Sequence, residues 1–307
     1  MVASKARSPS VEPVLTPQTT REVGLRLLEW FEHAERDLPW RGASPWAVVV
    51  SEFMLQQTPV SRVLEPFAQW MKRWPTPSAL AQATPGEAIV MWGRLGYPRR
   101  ALRLHATAVM CDEQFGGEIP STLSQLRSLP GVGEYTAAAI AAFAFEQRCA
   151  VLDTNVRRVH ARVFDGAQFA ATTSITERER TRADELLPTD PHTSARLSAA
   201  VMELGALVCT SRSPQCDVCP IRTQCLWRLN GKPEWQGPAR KGQTYEGTDR
   251  QCRGQLLAVV RNSGGPVELG LLNQAWPEPV QRARALDSLV ADGLIDVCED
   301  GTFSLPS

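Results

Sequence analysis

Leu129-Pro130-Gly131-Val132-Gly133-Glu134-Tyr135-Thr136 is the stretch on which the fold of this chain turns. Two glycines one residue apart permit a tight turn, and that turn opens a helix predicted to begin near Glu134. Unpaired N–H groups and the positive end of a helix dipole meet at such a point, which makes it a candidate clamp for phosphate. A Gly-x-Gly turn also serves as an ordinary connection between helices, so its surroundings decide. Asp153, twenty residues after Gly133, lies in Val151-Leu152-Asp153-Thr154-Asn155-Val156-Arg157-Arg158, placed as a helix N-cap with two arginines one turn later.

Further along, Cys209, Cys216, Cys219 and Cys225 are separated by six, two and five residues. Thiolates are soft donors that favour zinc or an iron–sulfur centre over magnesium or calcium. Half of the chain's eight cysteines lie in this one short segment, which reads as a metal site. The other four, Cys111, Cys149, Cys252 and Cys298, are isolated, unlike a secreted disulfide framework, and a reducing cytoplasm is the expected location.

The 307 residues are enough for two or three domains, and 43% hydrophobic with 21% charged content describes a globular protein. No apolar run is long enough to cross a bilayer, and residues 1–16 form a polar tail, predicted to be disordered, without a secretory signal. The formal net charge of zero argues against a general polycation. Two local runs, Arg94, Arg99, Arg100, Arg103 and His105, then Arg157, Arg158, His160 and Arg162, are open to two readings: basic patches on nucleic acid, or solvated helix faces.

Helical periodicity dominates from Glu22 onward. It predicts segments at 22–35, 46–57, 60–73, 78–83, 86–93, 99–114, 122–128, 134–145, 153–164 and 194–208, divided by Pro and Gly. Residues 231–250 turn rich in Gly, Pro, Lys, Gln and Thr and read as a linker. Beyond them, three helices at 253–261, 268–276 and 279–292 and a hairpin through Glu299-Asp300-Gly301 suggest a winged-helix-like module at 251–307, suited to a protein partner or an extra DNA contact.

Taken in order, Leu129-Pro130-Gly131-Val132-Gly133, Asp153 and the four cysteines resemble the helix-hairpin-helix base-excision glycosylases, whose [4Fe-4S] loop has this cysteine spacing. Within that superfamily, Ser51-Glu52-Phe53-Met54-Leu55-Gln56-Gln57-Thr58 and Trp92-Gly93-Arg94-Leu95-Gly96-Tyr97 resemble the adenine DNA glycosylase, or MutY, family over roughly residues 20 to 230. The resemblance implies a mainly α fold. A six-helix domain at 38–148 would carry the helix-hairpin-helix, and a [4Fe-4S] cluster domain would be built from 17–37 and 149–230. It implies a monomer acting on double-stranded DNA with a mispaired adenine. An endonuclease III-like or thymine-mismatch glycosylase, and a non-catalytic iron–sulfur DNA-binding protein, are the alternatives.

The same resemblance implies roles for individual residues. Glu52 would protonate the departing adenine and Asp153 would stabilise the cationic sugar, with Tyr135 and Asn155 in support. The apolar neighbours of Glu52 would raise its pKa. Tyr135 stands where endonuclease III has its nucleophilic lysine, which implies a glycosylase without lyase activity. Gln57 and Tyr97, helped by Thr58 and Leu95, would fill the gap left by a flipped nucleotide, while Arg36, Leu38, Trp40 and Glu203 would form the adenine pocket. Gly131 and Gly133 would hold the DNA backbone. Cys209, Cys216, Cys219 and Cys225 would hold the cluster, on a loop turning Arg212 and Arg222 toward DNA. Residues 251–307 are too short and too helical for the Nudix-like domain that many members carry, Pro98 stands where a second aromatic is common, and Thr154 replaces a small Gly.

Overall fold

The computed structural model describes residues 16–238 and 245–307. The expected disordered tail lies outside them apart from Thr16, and the expected linker lies partly outside them. Fifteen helices run in chain order as α1 (Pro17–Ala34), α2 (Pro45–Leu55), α3 (Val60–Arg73), α4 (Pro77–Ala81), α5 (Pro85–Trp92), α6 (Arg99–Phe115), α7 (Leu123–Ser128), α8 (Glu134–Phe145), α9 (Thr154–Phe164), α10 (Glu177–Leu186), α11 (Pro191–Leu207), α12 (Leu226–Leu229), α13 (Asp249–Asn262), α14 (Leu269–Gln274) and α15 (Pro279–Ala291), among the described residues. Two short strands, β1 (Asp296–Val297) and β2 (Phe303–Ser304), pair antiparallel with Asp296 opposite Ser304, and Phe303 also bridges Val267.

A recurring dipeptide starts many of these helices. Thr16-Pro17, Ser44-Pro45, Thr76-Pro77, Thr84-Pro85 and Asp190-Pro191 each place a side-chain oxygen on an unpaired N–H of the first turn and a proline just after it. Proline's missing donor costs nothing at that position, and its φ suits the helix. One helix, α10, was not expected from periodicity. Its first six residues are all polar, with only Ala183 and Leu186 facing the core, and a capping box between Thr176 and Glu179 starts it instead.

The chain divides into two compact units. One contains the residues up to Arg36 and Ala150–Gly237, with a core of Val23, Leu27 and Phe31 from α1, Val156, Val159 and Val163 from α9, and Leu197, Val201 and Leu204 from α11. The other contains Asp37–Cys149 and the residues from Pro238 onward. Three of its buried tryptophans meet: Trp70 stands edge-on to Trp74 and Trp92, with ring centroids 4.8 and 5.8 Å apart.

Within the second unit, α7 and α8 form the helical hairpin, and the Gly131 turn joins them. Gly131 has φ +81°, and a Cβ there would stand 2.9 Å from the Cβ of Arg103 and 3.0 Å from the Phe53 ring. Gly133 differs. It is the N-cap of α8 in an extended conformation open to any residue, and nothing lies within 4 Å of where its Cβ would be. The first glycine is therefore required by the fold, whereas the second keeps space open in front of the α8 N–H groups. Gly131→Ala should cost about 2 kcal/mol or more in urea unfolding, and Gly133→Ala roughly 1 kcal/mol or less; equal costs would contradict this division.

Candidate active site

In the first unit the site is organised around Asp153. Its Oδ1 accepts the Val156 N–H at 2.6 Å, which caps α9, and its Oδ2 accepts from the Asn155 amide at 2.9 Å. Asn155 Oδ1 accepts in turn from Arg158 Nη2 at 2.8 Å. Arg158 also donates to the Gly205 carbonyl at 2.7 Å and to the Cys209 carbonyl at 2.8 Å. Gly205 has no side chain because Asn155 leaves no room: a Cβ there would come within 2.8 Å of the Asn155 Cβ. An unbroken hydrogen-bonded chain thus runs from the Asp153 carboxylate to the first of the four cysteines. Burial pushes the Asp153 carboxyl above its ordinary value, and the Val156 and Asn155 bonds and the Arg158 charge pull part of that rise back.

The four cysteines line one hollow, together with Arg162, Leu204, Val208, Ile221 and Trp227. Burial raises the Cys219 thiol to about 12, and the neighbouring Cys209, Cys225 and Cys216 add to that rise. Cys225 is raised as well, chiefly by burial. Such a set becomes thiolate only when a cation compensates the charge, so the donor chemistry fits a metal centre. The sulfurs surround the hollow without converging on one point. Among the described residues, no three His, Cys, Asp or Glu side chains are gathered as a single ion would need. Arg162, only 1% exposed, closes one wall, donating to Cys209 Sγ at 3.2 Å and to the Thr210 carbonyl at 2.8 Å, with its guanidinium 4.6 Å from the Trp227 ring.

Arg36 and Glu203 come together in this unit. Arg36 Nε and Nη2 each donate at 2.7 Å to a different Glu203 oxygen, and the Arg36 backbone N–H adds a third bond at 3.1 Å. Glu203 is buried, and the pairing raises the Arg36 pKa.

In the second unit Glu52 lies in the middle of α2, buried at 6% exposure beside Phe53 and Met54. Leu38 and Trp40 are buried too, Trp40 edge-on to Phe67 at 5.2 Å. Tyr135 is half-buried in the first turn of α8. Gln57 and Tyr97 share a rare conformation: both are non-glycine residues with positive φ, 55° and 48°, and both are exposed. Thr58 and Leu95, expected to join them at the DNA, are buried at 8% and 4%. The Thr58 hydroxyl donates to the Gln56 carbonyl and accepts from Arg100, so it supports the turn from beneath.

Arg100 ties the Gln57 and Tyr97 turns to each other. Its Nη1 donates to the carbonyls of Phe53, Met54 and Gln56 at 2.9, 3.1 and 2.5 Å, and its Nη2 to Gly96 at 3.0 Å. Burial lowers its pKa to about 10, still charged at neutral pH. This residue was missed as part of the site because a basic run suggests a surface. The second basic run departs furthest from the patch reading. Arg158, His160 and Arg162 are buried, and Arg157 pairs with Glu179 at 2.7 Å and caps carbonyls of residues 172–174. Arg212 and Arg222 on the cysteine loop are exposed.

Residues 50–183 match the family model described as HhH-GPD superfamily base excision DNA repair protein. An adenine DNA glycosylase of Mycobacterium tuberculosis is 50% identical over 91% of this chain and 92% of its own length. One from Mycolicibacterium smegmatis is 50% identical over 92% of this chain and 95% of its own. Among solved structures, a thermostable thymine-DNA glycosylase superposes with TM-score 0.63 at 24% identity, covering 69% of this chain and 98% of its own. Endonuclease III in a DNA complex superposes with TM-score 0.61 at 21% identity, covering 72% and 100%; at these identities the likeness speaks for the fold. No helix among the described residues is long and apolar enough to cross a membrane. With the Gly131 hairpin, the capped Asp153 and the cysteine-lined hollow in place, the chain belongs to the adenine DNA glycosylases of the HhH-GPD superfamily of base excision DNA repair proteins.

Proposed function

We propose that this protein hydrolyses the N-glycosidic bond of adenine mispaired with 8-oxoguanine or guanine in double-stranded DNA, and leaves an abasic site. The observation that carries the reading is Asp153, a carboxylate held by a backbone cap and an amide, in a chain half identical to adenine DNA glycosylases over nine-tenths of its length. Loss of the base leaves an oxocarbenium-like sugar, and a fixed carboxylate stabilises that cation without reorganising. Glu52, buried on α2, is the acid that protonates the adenine ring and makes it a leaving group. Tyr135 cannot form a Schiff base, which supports base removal without strand cleavage.

Adenine must leave the stack before either carboxyl acts on it. Gln57 and Tyr97, exposed on turns secured by Arg100, are suited to enter the vacated space, and Thr58 and Leu95 shape those turns from within. Arg36, Leu38, Trp40 and Glu203 are assigned to adenine recognition. Arg36 orients the Glu203 carboxylate, whose remaining lone pairs can accept from the exocyclic amine. Gly133 leaves the α8 N-terminus open to a phosphate of the backbone.

We infer that Cys209, Cys216, Cys219 and Cys225 hold a [4Fe-4S] cluster. When bound, it supplies a covalent cross-link that fixes the 209–225 loop and its exposed arginines. Through Arg158 the Cys209 end of that loop also bears on Asn155. No separate observation favours the endonuclease III-like reading.

Glu52→Gln should reduce adenine release by at least about 100-fold while binding to the mispaired duplex persists, measured by alkaline strand cleavage on duplexes with adenine opposite 8-oxoguanine, guanine or cytosine. Turnover near that of the parent would remove Glu52 from the role. Borohydride should trap no covalent complex. Asn155→Ala removes one of the bonds that lower the Asp153 pKa, so the carboxyl rises further. Since the ionised form is needed, the acid limb of the excision rate should move to higher pH, and a limb that stays put or moves down contradicts the assignment. Cys216→Ser should abolish visible absorbance and bound iron in the purified protein; retention of both would refute the cluster ligation.

A further inference from the structure

Tyr97 is 44% exposed and has φ 48°, a costly region of backbone conformation, and the buried Arg100 guanidinium stands 5.4 Å from its ring while leaving the hydroxyl to a second partner. The C-terminal module holds that ring. Arg250 Nη1 donates to the Tyr97 hydroxyl at 3.1 Å, with its guanidinium 5.9 Å from the Tyr97 ring and 5.4 Å from the Tyr245 ring. Arg250 sits in the first turn of α13, and Arg261, in the last turn of the same helix, donates to the Gly93 carbonyl. Two arginines of one helix therefore grip the two ends of the Gly93–Tyr97 turn. The grip is braced: Gly86 N–H donates to the Pro306 carbonyl at 2.8 Å, and Arg99 meets Asp292 at 3.3 Å.

Charge points the same way. Acidic residues outnumber arginines across 245–307, and that stretch has no lysine. Three of its five arginines are used inside the module: Arg253 on Asp292, Arg282 on the Trp276 carbonyl and Arg284 on Asp249. A surface of that sign gains little from phosphates. The two arginines left both reach the Gly93–Tyr97 turn.

We propose that Arg250 is a positioning residue for Tyr97, and that the C-terminal module acts on DNA recognition by presetting this one ring rather than by wrapping the duplex. The inference rests on the reading of Tyr97 as the residue that enters the duplex. A preset ring pays less ordering cost on binding, so the gain appears in affinity and excision rate on mispaired DNA. Arg250 touches no reacting atom; its effect passes through the Tyr97 hydroxyl.

The test uses the full chain and a duplex carrying adenine opposite 8-oxoguanine, with dissociation constant and single-turnover excision as readouts. Arg250→Ala and Tyr97→Phe each delete one partner of the hydrogen bond and keep a ring at 97, or remove only the arginine. Each should weaken binding or excision about three- to tenfold, the worth of one hydrogen bond. The double variant should be no worse than either single, since both remove the same interaction. Arg250→Lys should recover part of the loss, and Arg284→Ala, whose pair with Asp249 stays within the module, should remain within about twofold of the parent. Multiplying effects in the double variant, an Arg250→Ala protein indistinguishable from the parent, or an Arg284→Ala loss as large as that of Arg250→Ala would each overturn the proposal. Tyr97→Ala separates the two layers. If it is deleterious while Arg250→Ala is silent, only the positioning role falls; if it is itself silent, the reading of Tyr97 falls and takes the proposal with it.

Discussion

A helix that ends inside a protein leaves carbonyl groups without partners, and here buried guanidinium groups take them up. Arg100 collects the carbonyls at the end of α2 and adds that of Gly96. Arg158 and Arg162 do the same beyond the end of α11, on Gly205, Cys209, Thr210 and Ser211. The negative end of a helix dipole favours a cation, and a planar fork of donors satisfies several oxygens at once. Lysine could not substitute, because its three donors radiate from one atom. Removing Arg100 would take this donor from the buried carbonyls of Phe53 and Met54, at a cost of about 1–3 kcal/mol for each group left unpaired.

Each of these arginines also fixes a loop that carries site residues. Arg100 binds both the segment before Gln57 and the residue before Tyr97, so two exposed side chains on separate turns keep one spacing. Arg158 joins the amide that holds Asp153 to the backbone of Cys209. The exposed groups depend on charges that solvent never sees. That is an economical way to make rigid turns from polar residues, because the left-handed backbones at Gln57 and Tyr97 persist only while their surroundings determine them.

This also explains which parts were legible in the sequence. The helices of the two cores follow hydrophobic periodicity, and Asp153 was legible as a cap because a short acceptor side chain just before a helical stretch can take an unpaired N–H of its first turn. That the four cysteines gather around one hollow was legible by spacing. The basic runs were not, because the sequence does not distinguish an arginine facing water or phosphate from one facing four carbonyls; the partners are backbone atoms, and backbone has no letter. Arg158 lies 47 residues from Gly205. Helix α10 was missed for a related reason: Glu177-Arg178-Glu179-Arg180 has no apolar stripe, and its start is set by Thr176 and Glu179 alone. That Thr58 and Leu95 are buried beside exposed Gln57 and Tyr97 was not legible, because neighbours in sequence need not share exposure on a turn.

The chain carries as many acidic as basic residues, yet that balance overstates how much positive charge is available to DNA. Arg100, Arg158, Arg162 and Arg182 are buried, and Arg36 and Arg157 are bound to carboxylates. The positive charge left for phosphate is on exposed side chains, among them Arg94, Arg103, Arg212 and Arg222. An interface with few phosphate contacts binds undamaged duplex weakly, because counterion release scales with the number of phosphates neutralised. On the proposed function, discrimination would then fall to the groups that act only after a nucleotide has left the stack. Under the role proposed for them, fixed side chains such as Gln57 and Tyr97 would make the energy of the opened state depend on the pair that was opened. A guanidinium committed to buried carbonyls is one fewer for nonspecific phosphate binding, and in Arg100 it is also a constraint on the turns that carry Gln57 and Tyr97.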